Sequence, residues 1–83
     1  MRQIARTPKQ IGSALRRHRR QLTMNQTTLG EKTKLRQATI SAVEAGEPRT
    51  QLRTVCAIMA ALELEFVIRP RTKGTADEIE EIF

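Results

Sequence analysis

Apolar residues recur at helical spacing near the start of the chain. Ile11, Leu15 and Leu22 follow one another at intervals of four and seven residues, so one side of a helix faces a core. The letters TPKQ, at 7–10, form a start signal: a threonine that can cap, a proline suited to the first helical position and a capping-box glutamine. The pattern therefore predicts a first helix over 8–21.

Caps and spacing predict three further helices. Asn25 is a good N-cap for a short helix over 26–33, and a second short helix over 37–45 stops at Gly46. After a turn, Thr50 caps a fourth helix. The buried side of that helix is predicted to carry Leu52, Val55, Cys56, Met59 and Leu62.

The spacing changes to alternation after the fourth helix. Along 63–70, Leu64, Phe66 and Ile68 take every second position until Pro70 ends the run, which is typical of a strand. No second strand is predicted elsewhere, and a lone strand leaves half of its backbone groups unpaired. The same strand of a second copy is the simplest partner, so we expect a homodimer joined through this segment.

The chain thus divides into four parts along the sequence. These are an N-terminal arm (1–6), a helical domain (7–62), a dimerisation strand (63–70) and a flexible acidic tail (71–83). The tail is either a short partner-docking motif or a plain disordered segment. Its apolar residues are Ile79, Ile82 and Phe83.

Charge is distributed unevenly and points to a polyanionic partner. Fifteen Lys and Arg oppose nine Asp and Glu, which gives a net charge of +6, and residues 1–36 hold ten of the basic residues and only one acid. Such a basic half is the footprint of a nucleic-acid binder, although an anionic membrane or an acidic protein would attract it too. With only two aromatic residues, the chain lacks the stacking platforms of single-strand binding folds, which favours duplex DNA.

The rarer residues argue against other classes of protein. One His and one Cys cannot build a zinc site, and His18 and Cys56 are predicted at core positions of different helices rather than in a catalytic pocket. A lone thiol suits a reducing cytoplasm. No apolar run approaches the roughly 20 residues that span a bilayer. We therefore expect a cytoplasmic protein with no enzymatic activity, metal, cofactor or membrane segment.

Two short helices joined by a three-residue turn have the spacing of a helix-turn-helix. In that geometry the second helix, which begins at Gln37, enters the major groove with its N-terminal residues at the base edges. Ile40 and Val43 share its buried side. The opposite side carries Gln37, Ala38, Ser41, Ala42 and Ala45. Glutamine can bond to adenine, serine can pair with several bases, and alanine can contact the methyl group of thymine.

The run MNQTTLGEKTKLRQATISAVEAG, at 24–46, resembles the Xre/Cro family of helix-turn-helix repressors. Their pattern is roughly hydrophobic-Thr/Asn-Gln-x-x-Leu-Ala, a turn, then Ile-Ser-x-hydrophobic-Glu-x-Gly, and the match extends over about 7–64. The segments QATIS and LELEFVI are most similar to the HipB antitoxins, autorepressors paired with HipA-type kinase toxins. The resemblance implies a mainly α, four-to-five-helix lambda-repressor-like domain with one C-terminal strand pairing across a homodimer.

The same resemblance implies roles for individual residues and a set of partners. The partners are double-stranded DNA with a palindromic operator and a HipA-like toxin, in a bacterial, nucleoid-associated setting. Arg19 and Glu44 match a structural salt bridge between the first and third helices. Base-reading positions are Arg36, Gln37, Ala38, Ser41 and Ala42. Phosphate-binding positions are Asn25, Gln26, Thr27, Lys34 and Thr39.

Two positions depart from the family pattern. Lys34 stands where a turn glycine is usual, so a left-handed backbone there carries a penalty. Gly30 replaces the usual alanine and is expected to weaken the second helix by about 1 kcal/mol. Two alternatives to an antitoxin stay open: a stand-alone Xre-family regulator without a toxin, and a protein-interaction module that has lost DNA binding.

Overall fold

The computed structural model describes residues 3–71, and within that range the regular structure is entirely helical. The predicted bounds of the first two helices are confirmed, and the third ends one residue earlier than predicted. The four helices are α1 Pro8–Gln21, α2 Gln26–Thr33, α3 Gln37–Glu44 and α4 Leu52–Ala61. None of these four is long and apolar enough to cross a bilayer.

All four helices contribute to one small apolar core. α3 supplies Ile40 and Val43, the two residues that its spacing predicted as buried. Each fully buried aliphatic side chain stabilises the fold by about 1.5–3 kcal/mol relative to exposure. The core comprises Leu15, Leu29, Ile40, Val43, Val55, Ile58, Met59 and Leu62.

The predicted caps of the first two helices are present. Thr7 accepts a hydrogen bond from the backbone N–H of Gln10 at 3.1 Å, and the Gln10 side chain accepts from the N–H of Arg6 at 2.7 Å. Asn25 caps α2 by accepting from the N–H of Thr28 at 2.7 Å. These bonds satisfy helix N–H groups that have no partner inside the helix.

The fourth helix corrects three predictions. Its N-cap is Gln51 rather than Thr50, and no side chain caps it. Cys56 is exposed, and Leu52 is 69% exposed. The reason is a rotation of the helix about its axis: α4 packs through a side that includes Ile58, which turns the predicted edge of the stripe towards solvent.

Glycines let α1 pass directly over the C-terminal end of α3. A Cβ atom on Gly12 would collide with the backbone oxygens of Val43 and Glu44, the latter at 2.7 Å. Gly46, which follows α3 at a φ of +92°, would place a Cβ atom 2.7 Å from the Cα of Lys9. Only glycine permits this approach, which fixes the distance between the two helices that carry the ion pair described below.

The segment after α4 forms no strand in the single chain. Glu63 ends the helix at a φ of +58°, and the N–H of Leu64 reaches back to the carbonyl of Met59 at 2.8 Å. The segment 64–71 then continues without regular structure. Pairing of 63–70 across a homodimer therefore stays a prediction. Residues 1–2 of the predicted arm and 72–83 of the predicted tail lie outside the described range.

Candidate nucleic-acid interface

The turn between α2 and α3 has a left-handed backbone at its first residue. Lys34 has φ 59° and ψ 28°, the conformation that the family pattern reserves for glycine. The next N–H, of Leu35, donates to the carbonyl of Gly30 at 3.2 Å and to the hydroxyl of Thr33 at 3.3 Å. These two bonds hold the turn although its lysine occupies an unfavourable region.

Gly30 has a packing role that sequence reasoning missed. A Cβ atom there would lie 2.8 Å from the backbone oxygen of Leu35, so the glycine allows the turn to fold back onto α2. The expected weakening of α2 is thus accompanied by a close approach that alanine would obstruct in this geometry. The two departures from the family pattern are therefore structurally related: Lys34 lies in the turn, and Gly30, in α2, packs against it.

α3 separates a buried side from an exposed side along its short length. Ile40 and Val43 lie in the core, whereas Gln37, Ala38 and Ser41 are exposed. Among the other predicted base-reading residues, Arg36 is exposed at the N-cap, where its side chain makes no capping bond, and Ala42 is half-buried. The exposed side thus combines small residues with one amide and one guanidinium group.

The predicted phosphate-binding residues lie around the start of α2 and in the turn. Thr27 and Lys34 are exposed, and Gln26 is half-buried. Asn25 is exposed, but its side-chain oxygen is the cap of α2. Thr39, on α3, is half-buried. The N-terminus of α2 carries a partial positive charge that favours anions, and Lys34 in the turn adds a full positive charge.

A buried ion pair joins α1 to the last residue of α3. Arg19 donates from Nε to Oε2 of Glu44 at 2.7 Å and from Nη2 to Oε1 at 3.0 Å. Its remaining nitrogen, Nη1, donates to the carbonyl of Met24 at 2.7 Å. One guanidinium group therefore ties α1, α3 and the loop before α2 together. The predicted salt bridge between Arg19 and Glu44 is therefore present.

The electrostatic surroundings keep both partners charged at neutral pH. Burial raises the pKa of Glu44, but hydrogen bonds from Arg19 and Gln26, together with the charges of Arg19 and Arg16, outweigh burial and lower it below the ordinary value. The hydrogen bond to Glu44 raises the pKa of Arg19, although burial opposes this effect. Ionised partners with bidentate geometry form strong hydrogen bonds.

The ion pair continues into a chain of amide side chains. Gln26 donates from Nε2 to Oε1 of Glu44 at 3.0 Å, and Gln37 donates from Nε2 to Oε1 of Gln26 at 3.5 Å. Sequence reasoning assigned Gln26 to phosphate binding and missed this link. No local pattern reveals it, because the three residues meet only when the start of α2 packs against both ends of α3.

Two further arginine side chains lie outside the set of predicted residues. Arg16, on α1, acts on Glu44 through its charge, which places its positive field towards the C-terminal end of α3. Arg53, at the start of α4, donates to the side chain of Gln51 at 2.7 Å.

In residues 3–71 there is no group of three or more His, Cys, Asp and Glu side chains arranged to hold a metal ion.

Comparisons with known proteins agree with this geometry. Residues 15–68 match the helix-turn-helix family model. The fold is similar to that of a HipB–O4 20mer complex, with 32% sequence identity and a TM-score of 0.78 over 83% of this chain and 97% of that chain. No curated protein matches the chain.

Two further solved structures have the same level of similarity. A HipB–O1–O2 complex is 32% identical, with a TM-score of 0.78 over 83% of this chain and 100% of that chain. A HipA–HipB–O2–O3 complex is 32% identical, with a TM-score of 0.78 over 83% of this chain and 97% of that chain. The chain therefore belongs to the Xre-type helix-turn-helix family, with a DNA-binding, repressor-like fold similar to that of HipB.

Proposed function

We propose that this protein is a sequence-specific repressor that binds double-stranded DNA as a homodimer and acts as a HipB-like antitoxin. It reads a palindromic operator through α3, autoregulates its own operon and binds a HipA-type kinase toxin. One observation carries the proposal: α3 buries Ile40 and Val43 and leaves Gln37, Ala38 and Ser41 exposed on the opposite side. A helix with small exposed residues fits deeply into the major groove.

Base reading follows from the chemistry of the exposed side. Gln37 bonds bidentately to adenine, and Arg36 bonds to guanine. Ser41 accepts from or donates to several bases. Ala38 and Ala42 contact thymine methyl groups. Each good bidentate contact discriminates against the wrong base by roughly 1–3 kcal/mol.

The amide chain orients Gln37 for one kind of base. One N–H of its amide donates to Gln26, which leaves a second N–H and the carbonyl oxygen for a base. A donor beside an acceptor matches N7 and the amino group of adenine. Gln26, itself held by Glu44, thereby acts as a positioning residue for the base contact.

Phosphate contacts supply the affinity that does not depend on sequence. The N-terminus of α2, with Asn25, Gln26 and Thr27, receives one phosphate group through backbone N–H groups and side chains. Lys34 and Thr39 contact further phosphate groups. Each neutralised phosphate contributes about 0.9 to the slope of log affinity against log salt concentration.

A palindromic site requires two copies of α3, and the segment 63–70 provides the means to join them. Leu64, Phe66 and Ile68 form the pairing face, and the last two extend beyond the core of their own chain. A second copy covers them and pairs their backbone groups. Sedimentation velocity at micromolar concentration tests this step: a dimer is expected, and a monomer at every concentration contradicts it.

Substitution of Gln37 by alanine tests the reading of DNA. Because the operator is not defined by the sequence, the probe is a duplex selected from a random library by the wild-type protein. Gln37→Ala should lose roughly 1–3 kcal/mol of discrimination at one base position, measured by fluorescence anisotropy on single-base variants. Gln21→Ala, the same chemical change on an exposed glutamine of α1, should leave the whole profile unchanged.

Two results would contradict the groove assignment. Gln37→Ala could bind every duplex as tightly as wild type does, or the random library could yield no enriched duplex at all. The second result would favour an interaction module that has lost DNA binding.

Toxin binding is tested separately with a HipA-type kinase, taken from an adjoining reading frame if one encodes it. The HipB relative occurs with HipA in one of the similar structures, which supports a shared partner. The two purified proteins are expected to co-elute in size-exclusion chromatography, and kinase activity should fall as the complex forms. A protein that reads DNA but neither binds nor inhibits the kinase is a stand-alone regulator.

A further inference from the structure

One acidic side chain lies among the residues proposed to contact DNA. A groove between α2 and α3 is lined by five of those residues, and Glu31 lines the same groove and is exposed. Of the three charged residues in its lining, Glu31 is the one without a role in the proposed function. A duplex held by Lys34 and Arg36 therefore lies beside a carboxylate. The five proposed contacts are Gln26, Thr27, Lys34, Arg36 and Gln37.

Interactions within the chain do not account for Glu31. In the described part of the chain its carboxylate forms no hydrogen bond and no ion pair, although Lys34 follows three residues later. Glu31 also lies in the last turn of α2, where the partial negative charge of the helix end disfavours an acid. The carboxylate is thus neither neutralised nor favoured by its place in the fold, and its charge acts on whatever occupies the groove.

We propose that Glu31 repels the phosphate backbone and thereby lowers the affinity of this protein for every duplex. The inference rests on the proposed DNA binding and adds a residue that weakens it. Two like charges about 4 Å apart in water repel each other enough to change a binding constant roughly fivefold, and partial desolvation in a groove increases that repulsion. Glu31 thus offsets part of the attraction supplied by the positive charges around it.

The backbone of DNA, rather than a base, is the part that Glu31 faces. A carboxylate in the major groove can accept a hydrogen bond from the amino group of cytosine. The proposed base contacts Arg36 and Gln37, however, are at the start of α3, whereas Glu31 is on α2. Glu31 is four residues after Thr27, so the two share one side of the helix. Thr27 is a proposed phosphate contact, which places the carboxylate beside the phosphate groups.

A repelling carboxylate changes how a basic protein behaves on DNA. With a net charge of +6, this chain is attracted to any duplex through charge alone. Glu31 reduces that attraction inside the contact surface, where the backbone is closest and salt screens least. We therefore expect the carboxylate to speed release from arbitrary DNA as well as from the operator.

Glu31→Gln tests the proposal, because it removes the charge and keeps the size of the side chain. The probes are a duplex selected from a random library by the wild-type protein and a scrambled duplex of the same length. At about 0.1 M salt the variant should bind both roughly five- to tenfold more tightly, measured by fluorescence anisotropy. The gain should shrink as salt is added, because the Debye length falls from about 10 Å at 0.1 M towards about 3 Å at 1 M.

Glu63→Gln is the matched control. It makes the same change of charge on an exposed glutamate that follows α4 and does not line the groove. The control should change the affinity for either duplex by less than about twofold, since exposed charges beyond a Debye length are largely screened. An equal gain for the two variants overturns the proposal, because the net charge would then matter and the position of Glu31 would not.

A double variant tests whether Glu31 acts on DNA directly or through Lys34. Lys34→Gln should bind more weakly than wild type, and the addition of Glu31→Gln should strengthen binding by the same factor as it does in the wild-type chain. If the gain disappears in the Lys34→Gln background, Glu31 acts by holding the lysine away from DNA. Direct repulsion is then the wrong account.

The remaining outcomes separate this inference from the proposed function. If Glu31→Gln weakens binding or alters the preference at one base position, Glu31 contacts a base, and the inference is wrong while the reading of DNA stands. An affinity no different from that of wild type also overturns the inference alone. If the wild-type protein binds no duplex, the proposed function and the inference both fail.

Discussion

The helix-turn-helix and the segment after α4 differ in how much of their apolar surface is covered by their own chain. In the helix-turn-helix, α2 and α3 bury Leu29 and Ile40 against their own chain, and the polar groups at the ends of these helices bond to one another. In the segment 64–70, Phe66 is 49% exposed and Ile68 is 99% exposed. The first region is covered within one chain, and the second is the surface of the proposed dimer. Perturbing the first should change folding, and perturbing the second should change association.

The largest loss of unfolding free energy is expected at the buried ion pair between Arg19 and Glu44. Glu44→Gln keeps the shape of the side chain but leaves the guanidinium group of Arg19 buried without its counter-charge, which should cost about 3–5 kcal/mol of unfolding free energy. Urea denaturation monitored by circular dichroism measures it. Glu65→Gln, the same change in the open region, should alter the unfolding free energy by less than about 0.5 kcal/mol at concentrations where the chain is monomeric.

Ile40 and Ile68 allow the same comparison for apolar side chains, one in each region. Ile40→Ala removes fully buried atoms and should cost about 2–5 kcal/mol, independently of protein concentration. Ile68→Ala should cost little in the monomer, yet weaken the dimer and make the apparent stability more dependent on concentration. Denaturation curves at several protein concentrations separate these effects. An equal, concentration-independent loss for both variants would show that the two regions do not differ as described.

The ion pair also predicts a pH dependence with a definite sign. Because the folded-state pKa of Glu44 is below its unfolded value, the carboxylate stabilises the fold above about pH 4.3, the ordinary value for glutamate. That contribution is lost as the pH falls through the folded-state pKa. The difference in unfolding free energy between wild type and Glu44→Gln should therefore shrink below about pH 4. A difference that stays constant from pH 7 to 3 would argue against a stabilised carboxylate.

Sequence reasoning succeeded where a structural feature depends on neighbours in the chain. The caps at Thr7 and Asn25 and the burial of Ile40 and Val43 follow from short-range spacing, and all are present in the structure. Capping and helical periodicity act over three or four residues, so one sequence contains the whole signal. The bounds of α1 and α2 were predictable for the same reason.

Sequence reasoning failed where a feature depends on contacts between residues that are distant along the chain. Cys56 was expected in the core, but the rotation of α4 depends on how Ile58 packs against the other helices. The packing role of Gly30 depends on the position of the Leu35 carbonyl after the turn has formed. The contact between Gln26 and Gln37 likewise requires the finished fold. These features arise from tertiary packing, which overrides local preference.

The smallest change in stability is expected at two residues with a left-handed backbone. One of them lies inside the proposed DNA interface and the other lies outside it. Lys34→Gly and Thr23→Gly both relieve a positive φ, 59° and 54° respectively, and each should stabilise the fold by about 1 kcal/mol. Only Lys34→Gly should also weaken DNA binding and lower the salt slope by about one, since it removes a phosphate contact. Equal effects of both variants on DNA binding would contradict the contact. The expected difference would mean that the lysine is retained in a strained turn because its charge faces the phosphate backbone.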